Sequence, residues 1–460
     1  MALLRMLGCL LLAVPLSLQA ANPKVSEFKL DNGLKLLVQE DHRAPVAVTQ
    51  VWYKVGSSYE HGGITGISHM LEHMMFKGTK KHPPGEFSRI ISANGGSENA
   101  FTGEDYTAYF QTLEKSRLPI SFELEADRMR SLRLMPDEFT KEQQVVLEER
   151  RLRTDDQPRA KLGEQFNAVS FSNSPYRNPV IGWPDDVSKL TVSDLSDWYQ
   201  RWYAPNNATL VVVGDVKPDE VFKLAQKYFG PLKPSQLPAL KPQAEIDQVG
   251  IRRITVKAPA KLPYISMGYK TPVLHGAIDE NEAYALEVAA GVLDGGNSAR
   301  LESRLVRGQQ IAASVGAGYD LYSRMPSLFM IEGTPVQGKT VADLEKALLE
   351  EVRLLRDEPV TTGELERVKA QVLANKVFER DSIFYQAMQL GTAETVGLSW
   401  KKVDEFVDRI NAVTPQQVQQ VAKKYLTEDR LTIGYLDPQP IPEGQTAPED
   451  RTPVGGDHVR

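Results

Sequence analysis

Two histidines and a glutamate in the stretch Gly66-Ile67-Ser68-His69-Met70-Leu71-Glu72-His73 have the types and the spacing to do chemistry. On a helix, His69 and His73 lie one turn apart on one face, so both imidazoles can reach a single metal ion. Glu72, beside them, is placed to take a proton from a water that the metal activates. The chemistry such a group serves is metal-assisted hydrolysis. Two solvated or helix-capping histidines would leave the same trace, so the reading turns on a third ligand elsewhere in the chain.

A source for that ligand is Thr140-Lys-Glu142-Gln-Gln-Val-Val-Leu-Glu148-Glu149-Arg-Arg-Leu. Thr140 and Gln143 resemble a capping box and predict a helix opening at Thr140. Glu142 and Glu149, two turns apart, then share a face. A catalytic zinc wants three protein ligands and one open position, which His69, His73 and Glu149 would supply as two neutral donors and one anion. Glu142 would orient one of the ligand imidazoles. Without the upstream histidines, the same glutamates read as a solvated face paired with Lys141 and Arg150–Arg153. The order His-x-x-Glu-His is the inverse of the commoner zinc-protease order His-Glu-x-x-His.

Together these residues resemble the pitrilysin group of zinc peptidases, which includes insulin-degrading enzyme and the mitochondrial processing peptidase. Members carry His-x-x-Glu-His and, some 75 residues on, a Glu-x6-Glu helix whose second Glu is the third ligand. Here Glu149 follows His73 by 76 residues and Glu142 matches the first Glu of that pair. The resemblance implies one zinc ion per chain, selects Glu149 over Glu148, and assigns Glu72 as general base. It also implies that Asn99, Ala100 and Thr102, matching the family's Asn-Ala-x-Thr segment, form a strand edge along which a peptide backbone pairs.

Composition narrows the class. A chain of 460 residues with formal charge -6 has room for two to four domain-sized units and no basic block that would suit nucleic acid. Arg5, the apolar run Met6–Leu18 and then Gln19-Ala20-Ala21 read as a secretory signal peptide over 1–21, too short an apolar run for stable membrane insertion. That predicts a periplasmic protein. The one cysteine, Cys9, falls inside this segment, which excludes thiolate and disulfide chemistry from the mature chain.

The elements that must position the site follow from periodicity. Phe28–Val38 reads as a hairpin about Asp31-Asn32-Gly33, and 47–55 as a strand. Gly66 and Gly78 bound a short helix carrying the motif. Leu118–Ser131 reads as a helix and Leu162–Phe171 as another; Ser174–Pro184 is a Pro/Gly loop of the kind the family places near its active-site helices. A helix capped at Thr191, a buried strand at 208–215 and the helix Pro218–Tyr228 close an N-terminal domain over 22–235. A proline-rich linker, 236–248, follows.

The second half, 249–437, repeats this order faintly. Ile251–Val256 and Tyr264–Tyr269 read as strands, Asn281–Leu293 as an apolar helix where the metal helix stood, and 340–356 and 362–379 as long helices. The helix after Thr414 and the strand at Leu431 echo the Thr191 helix and the strand at 208–215. This is a degenerate duplication. The fold class expected is α+β, with two homologous domains, each an antiparallel-rich sheet packed against helices, facing each other as a clamshell. His275 has no companion ligand, so the second copy is metal-free and closes over the substrate. Residues 438–460, rich in Pro, Gly and charge, read as a disordered tail.

One departure from the family bears on partners. Active relatives carry an Arg and a Tyr seven residues apart in the second domain; here Ala313 or Ser314 stands where the Tyr belongs. Losing such an oxyanion donor costs a few kcal/mol of transition-state stabilisation. The resemblance therefore implies a heterodimer in which a metal-free homologous subunit supplies the Arg/Tyr pair, unless Arg304, Arg307, Tyr319 or Tyr322 acts in cis. The function expected is a zinc endopeptidase acting on extended peptides or unfolded protein segments. The competing expectation is a non-catalytic structural or peptide-binding subunit of the same fold.

Overall fold

The computed structural model describes residues 24–241 and 243–441. The signal segment, Cys9 and all but the first residues of the tail lie outside these. The first sheet holds β1 (Val25–Lys29), β2 (Lys35–Glu40), β3 (Val46–Tyr53), β4 (Ser97–Thr102), β5 (Thr107–Glu114) and β6 (Ala208–Gly214), in the order β1-β2-β6-β3-β5-β4. Its helices are α1 (Ile67–Met74), α2 (Glu86–Ala93), α3 (Leu118–Ser131), α4 (Pro136–Arg150), α5 (Pro158–Ser170), α6 (Pro184–Lys189), α7 (Val192–Trp202) and α8 (Pro218–Tyr228).

The second sheet holds β7 (Arg252–Pro259), β8 (Tyr264–Thr271), β9 (Ala312–Gly318), β10 (Ser327–Pro335) and β11 (Leu431–Gln439), in the order β7-β11-β8-β10-β9. Around it lie α9 (Glu280–Leu293), α10 (Val341–Asp357), α11 (Thr362–Glu379), α12 (Ile383–Thr395), α13 (Lys401–Ala412) and α14 (Pro415–Tyr425). Matching β7, β11, β8, β10 and β9 to β2, β6, β3, β5 and β4 reproduces every pairing, including the parallel pair β2–β6 and its counterpart β7–β11. The second sheet is the first without β1. The chain is α+β with two homologous halves.

Period-two alternation sends each strand's side chains to two faces. In the first sheet Leu36, Val38, Val51 and Tyr53 face a core with Met70, Leu71 and Met74 of α1, Phe122 of α3, Val146 of α4 and Trp198 of α7. The other face, with Leu37, Val48, Trp52, Val211 and Val213, is covered by Ala387 and Leu390 of α12. Reciprocally, Leu162 of α5 packs with Ala258, Tyr264 and Leu436, and Phe166 with Leu328 and Met330, on the face of the second sheet turned away from its own helical core. Each half thus lends one helix to the other's sheet. Close approach makes this possible: a Cβ on Gly391 of α12 would fall on the Trp52 indole, and Cβ atoms on Gly268 and Gly434 would come within 2.9 Å of the Phe166 ring.

Two expectations need correction. The helix carrying Glu142 and Glu149 opens at Pro136, not Thr140; proline at the first helical position costs no hydrogen bond, and the Thr140 hydroxyl instead donates to the Pro136 carbonyl at 3.0 Å. The tail begins later than residue 438, because Pro438 and Gln439 extend β11 alongside Ala258 and Pro259 of β7. Strand β8 ends its pairing with β11 at Leu436, so at Pro438 only one neighbouring strand remains and the missing N–H is tolerated.

Candidate metal centre

The helix α1 is short and wholly buried, and its polar residues are the ones that need partners. Its N-terminus is fixed first. The buried carboxylate of Glu60 accepts from the amides of Gly66 (2.7 Å) and Ser68 (2.8 Å), satisfying donors that the helix leaves open. Burial pushes the Glu60 carboxyl up to about 7 despite these amides. Gly66 takes φ 85°, and a Cβ there would come within 2.6 Å of the Ile181 carbonyl. The loop from Ser174 to Pro184 therefore lies against the start of α1, and the Trp183 amide donates to Thr65 at 3.0 Å.

Helix α4 packs on α1 through a stripe of Phe139, Glu142, Val146 and Arg150. Glu149 borders this stripe, whereas Glu148 points to solvent and pairs with Arg151. The buried Arg150 guanidinium ties the end of α4 to Glu164 of α5 (2.7 and 2.9 Å) and to the Gly182 carbonyl (2.9 Å). One turn of π-helix, 151–155, follows Glu149 and redirects the chain into α5.

These contacts bring His69, His73 and Glu149 together, with one donor atom from each within 4.8 Å of the others. Glu149 stands 3.3 Å from His73 Nε2 and 3.9 Å from His69 Nε2. Bond lengths of about 2.0–2.1 Å in a tetrahedral site put donor atoms roughly 3.3 Å apart, so the three groups fit a zinc ion with small adjustment. Among the described residues no other His, Asp or Glu cluster has this geometry.

Glu142 approaches His73 from the other side, its Oε1 2.8 Å from Nδ1 and its Oε2 2.5 Å from Lys77 Nζ. An imidazole so held has Nδ1 carrying the proton, which leaves Nε2, on the Glu149 side, as the atom that would ligate a metal. Burial pushes the Glu142 carboxyl up, but His73 and Lys77 more than offset it and hold it at about 2. Glu149 is likewise raised by burial and brought down to about 2 by His73, His69 and Arg153, the last 2.9 Å away.

Glu72 is buried on α1, and its Oε2 accepts the Thr102 hydroxyl at 2.7 Å. Asn99, Ala100 and Thr102 all lie in β4, which among the described residues pairs with β5 alone and forms the sheet edge. The Ala100 and Thr102 side chains are buried, and Asn99 Oδ1 accepts the amide of Ala100. Thr102, expected on the peptide-binding edge, also reaches Glu72; Glu60 and Lys77 serve the site without having been expected there, and Arg153 pairs with Glu149 as the solvated-face alternative had it. Arg153 lies one turn beyond Glu149 and Lys77 four residues beyond His73, helical spacings that point to both, whereas Glu60 and the Thr102–Glu72 contact are found only through the fold.

The second half reaches this region through Arg324. Its side chain and amide bind the buried Asp105 in the β4–β5 turn (3.1 and 3.0 Å), and Asp105 also accepts from Ser58 and Tyr176. A cavity of about 640 Å³ lies between the halves, lined by Glu104, Phe166, Tyr176, Gly316, Asp320 and Met330 among others. Ala313 and Ser314 are exposed on the edge strand β9. The Tyr319 hydroxyl donates to the Pro272 carbonyl, Arg304 pairs with Glu351, and Arg307 donates to the Asn297 carbonyl. The Tyr322 ring packs near Phe406 with its hydroxyl buried.

The sequence and the fold are similar to those of known proteins. Residues 35–183 match the family described as insulinase (peptidase family M16), and 189–372 the peptidase M16 inactive domain. The chain is 35% identical over 448 residues to the zinc protease PqqE of Helicobacter pylori, covering 95% of this chain and 98% of that one. The crystal structure of a protease from Helicobacter pylori superposes with a TM-score of 0.85 at 30% identity, over 90% of this chain and 100% of that one. The fold also matches that of the periplasmic protease PqqL from Escherichia coli, with a TM-score of 0.77 at 18% identity, over 90% of this chain and 48% of the other.

Proposed function

We propose that this chain, which belongs to the insulinase peptidase family M16, is a zinc endopeptidase that hydrolyses extended peptides or unfolded protein segments. The observation that carries the reading is the convergence of His69, His73 and Glu149 on one point, with Glu72 buried on the same helix. When bound there, zinc would acidify a water and polarise a carbonyl. His69, His73 and Glu149 would hold the ion, and Glu142 fixes the His73 ring. Glu72 takes the proton of the attacking water and delivers it to the nitrogen of the departing amine. The peptide pairs its backbone along the open edge of β4 at Asn99–Thr102, which places little demand on sequence.

The working unit in this proposal is a heterodimer whose metal-free homologous subunit supplies an Arg/Tyr pair. Ala313 and Ser314 lack a hydroxyl aromatic, and Arg304, Arg307 and Tyr319 are engaged with local partners. The site of action is the periplasm, from the signal segment read over residues 1–21. No helix among the described residues is long and apolar enough to cross a membrane.

The test compares cleavage of quenched-fluorescent unstructured peptides by the zinc-loaded wild type and by Glu72→Gln, each with its zinc content measured. Glu72→Gln should keep one zinc per chain and lose at least about 10²-fold in rate. Undiminished hydrolysis by that variant would sink the mechanism. A zinc content near zero in metal-replete wild type would favour a structural subunit. Silence from the wild type that ends when a metal-free homologue is added would support the heterodimer, and full activity alone would remove it.

A further inference from the structure

We infer that Thr102 is a positioning residue: its hydroxyl fixes the orientation of the Glu72 carboxylate, so that the strand proposed to hold the peptide also aims the general base. The inference rests on the proposed reading of Glu72 as that base.

A glutamate carboxylate turns about a broad terminal torsion, so its own rotamer does not set the direction of its oxygens. Something outside the side chain must. Thr102 Oγ1 stands 2.7 Å from Glu72 Oε2, with both residues buried. Accepting that hydroxyl pins one oxygen and, because the group is planar, the direction of the other. Thr102 can do this because it is itself held. It is β-branched, with restricted χ1, and it pairs with Thr107 in the β4–β5 ladder. The Thr107 hydroxyl donates to the Val55 carbonyl at 2.9 Å.

The turn that follows is pinned from three sides. The Gly103 amide donates to Tyr106 at 2.8 Å, and the Ser57 amide donates to the Gly103 carbonyl at 3.2 Å. Asp105, two residues on, is held by Ser58, Tyr176 and Arg324 of the second half. A hydroxyl on so fixed a segment is a reference point for Glu72. A serine would retain it; a valine of the same shape would not.

Thr102→Val and Thr102→Ser separate this role from substrate contact. With zinc loaded, Thr102→Val should lower kcat by about 10-fold or more while KM and zinc content stay at wild-type values, and Thr102→Ser should restore most of kcat. A rise in KM with kcat unchanged, or equal impairment of both variants, would overturn the inference. A readout without catalysis uses thermal unfolding of the metal-free protein. Thr102→Val should lower Tm in the wild-type background and much less in a Glu72→Ala background, because the bond needs both partners. Equal loss in both backgrounds overturns the inference. If no form hydrolyses peptide, the proposed function fails, and the unfolding cycle alone decides whether the hydroxyl holds the carboxylate.

Discussion

Helices α1 and α9 occupy the same place in their halves, each following the strand that pairs with the closing strand, β3 with β6 and β8 with β11. One carries His69, Glu72 and His73, all buried; the other is filled by Ala283, Leu286, Val288, Ala289 and Leu293. Buried polar groups persist only where partners satisfy them. In the first half Glu142, Glu149 and Thr102 do so. The second half keeps the scaffold and gives the same position chiefly to packing, with Glu287, whose carboxyl burial pushes up to about 8, standing among the apolar residues of α9. The comparison teaches that the duplication preserved architecture, while chemistry needs a set of residues from α1, α4 and β4 at once.

The strongest way to break this comparison is through the metal. His73→Ala should bring zinc from one per chain to near zero and abolish peptide hydrolysis, whereas His275→Ala should leave zinc content unchanged. His275 sits in a loop and bonds the Arg324 carbonyl. Any loss of zinc in His275→Ala, measured by atomic absorption, would mean that the second half shares in the site.

Next in size is the exchange of helices. Trp52→Ala removes the side chain under α12, and Phe166→Ala the one between α5 and the second sheet. Each should cost about 3–5 kcal/mol. If the halves depend on each other's helix, each variant shifts a single denaturant transition. A biphasic curve in which only one half responds would show two independent folding units.

Smaller is the polar contact that joins the halves beside the site. Asp105→Ala leaves Arg324, Ser58 and Tyr176 without their shared acceptor and should cost roughly 3 kcal/mol, as breaking a buried pair does. Equilibrium denaturation measures it, and a loss under about 1 kcal/mol would make the contact peripheral.

The smallest effect sits in the linker. Glu245 bonds Lys270 of the second half at 2.6 Å and the amides of Ser172, Asn173 and Ser174 of the first. Burial pushes its carboxyl up, but Lys270 and the amides hold it at about 2, below its ordinary 4.5. The folded form binds fewer protons than the unfolded between these values. The contribution is therefore complete above pH 4.5 and is lost as pH falls toward 2. By pH 3 most of it should be gone, on the order of 1 kcal/mol once solvent screening is allowed for. Wild type should lose that much more stability than Glu245→Gln between pH 6 and pH 3, and parallel losses would remove the clasp.

Much of the site was legible because it is local. His69, Glu72 and His73 sit within one helical turn, and Glu142 and Glu149 within two turns of another helix, so period 3.6 sets each group's face. The helix Pro218–Tyr228 and the Thr191 cap, where Asp194 completes a capping box, also follow from nearest neighbours. Less legible were β9, built of Ala, Ser and Gly with little strand propensity, and the helices α12 and α13. At Thr140 a local capping pattern misled, because Pro136 had already begun the helix.

By itself, then, the sequence determined the ligand types, their spacing on two helices, the repeated order of elements and the covered character of β6, whose run Leu210–Val213 has no polar face. Each of these is a short-range pattern that the chain's own periodicity enforces. Tertiary structure alone decided that α1 and α4 lie side by side so that Glu149 meets His69 and His73, that Thr102 turns to Glu72, that Arg324 grips Asp105, and that α5 and α12 cross to the opposite sheets. These pairings join residues far apart in the chain. They are fixed by which apolar faces find each other and which buried polar groups must be satisfied, a condition on the whole packed molecule that no single stretch of sequence carries.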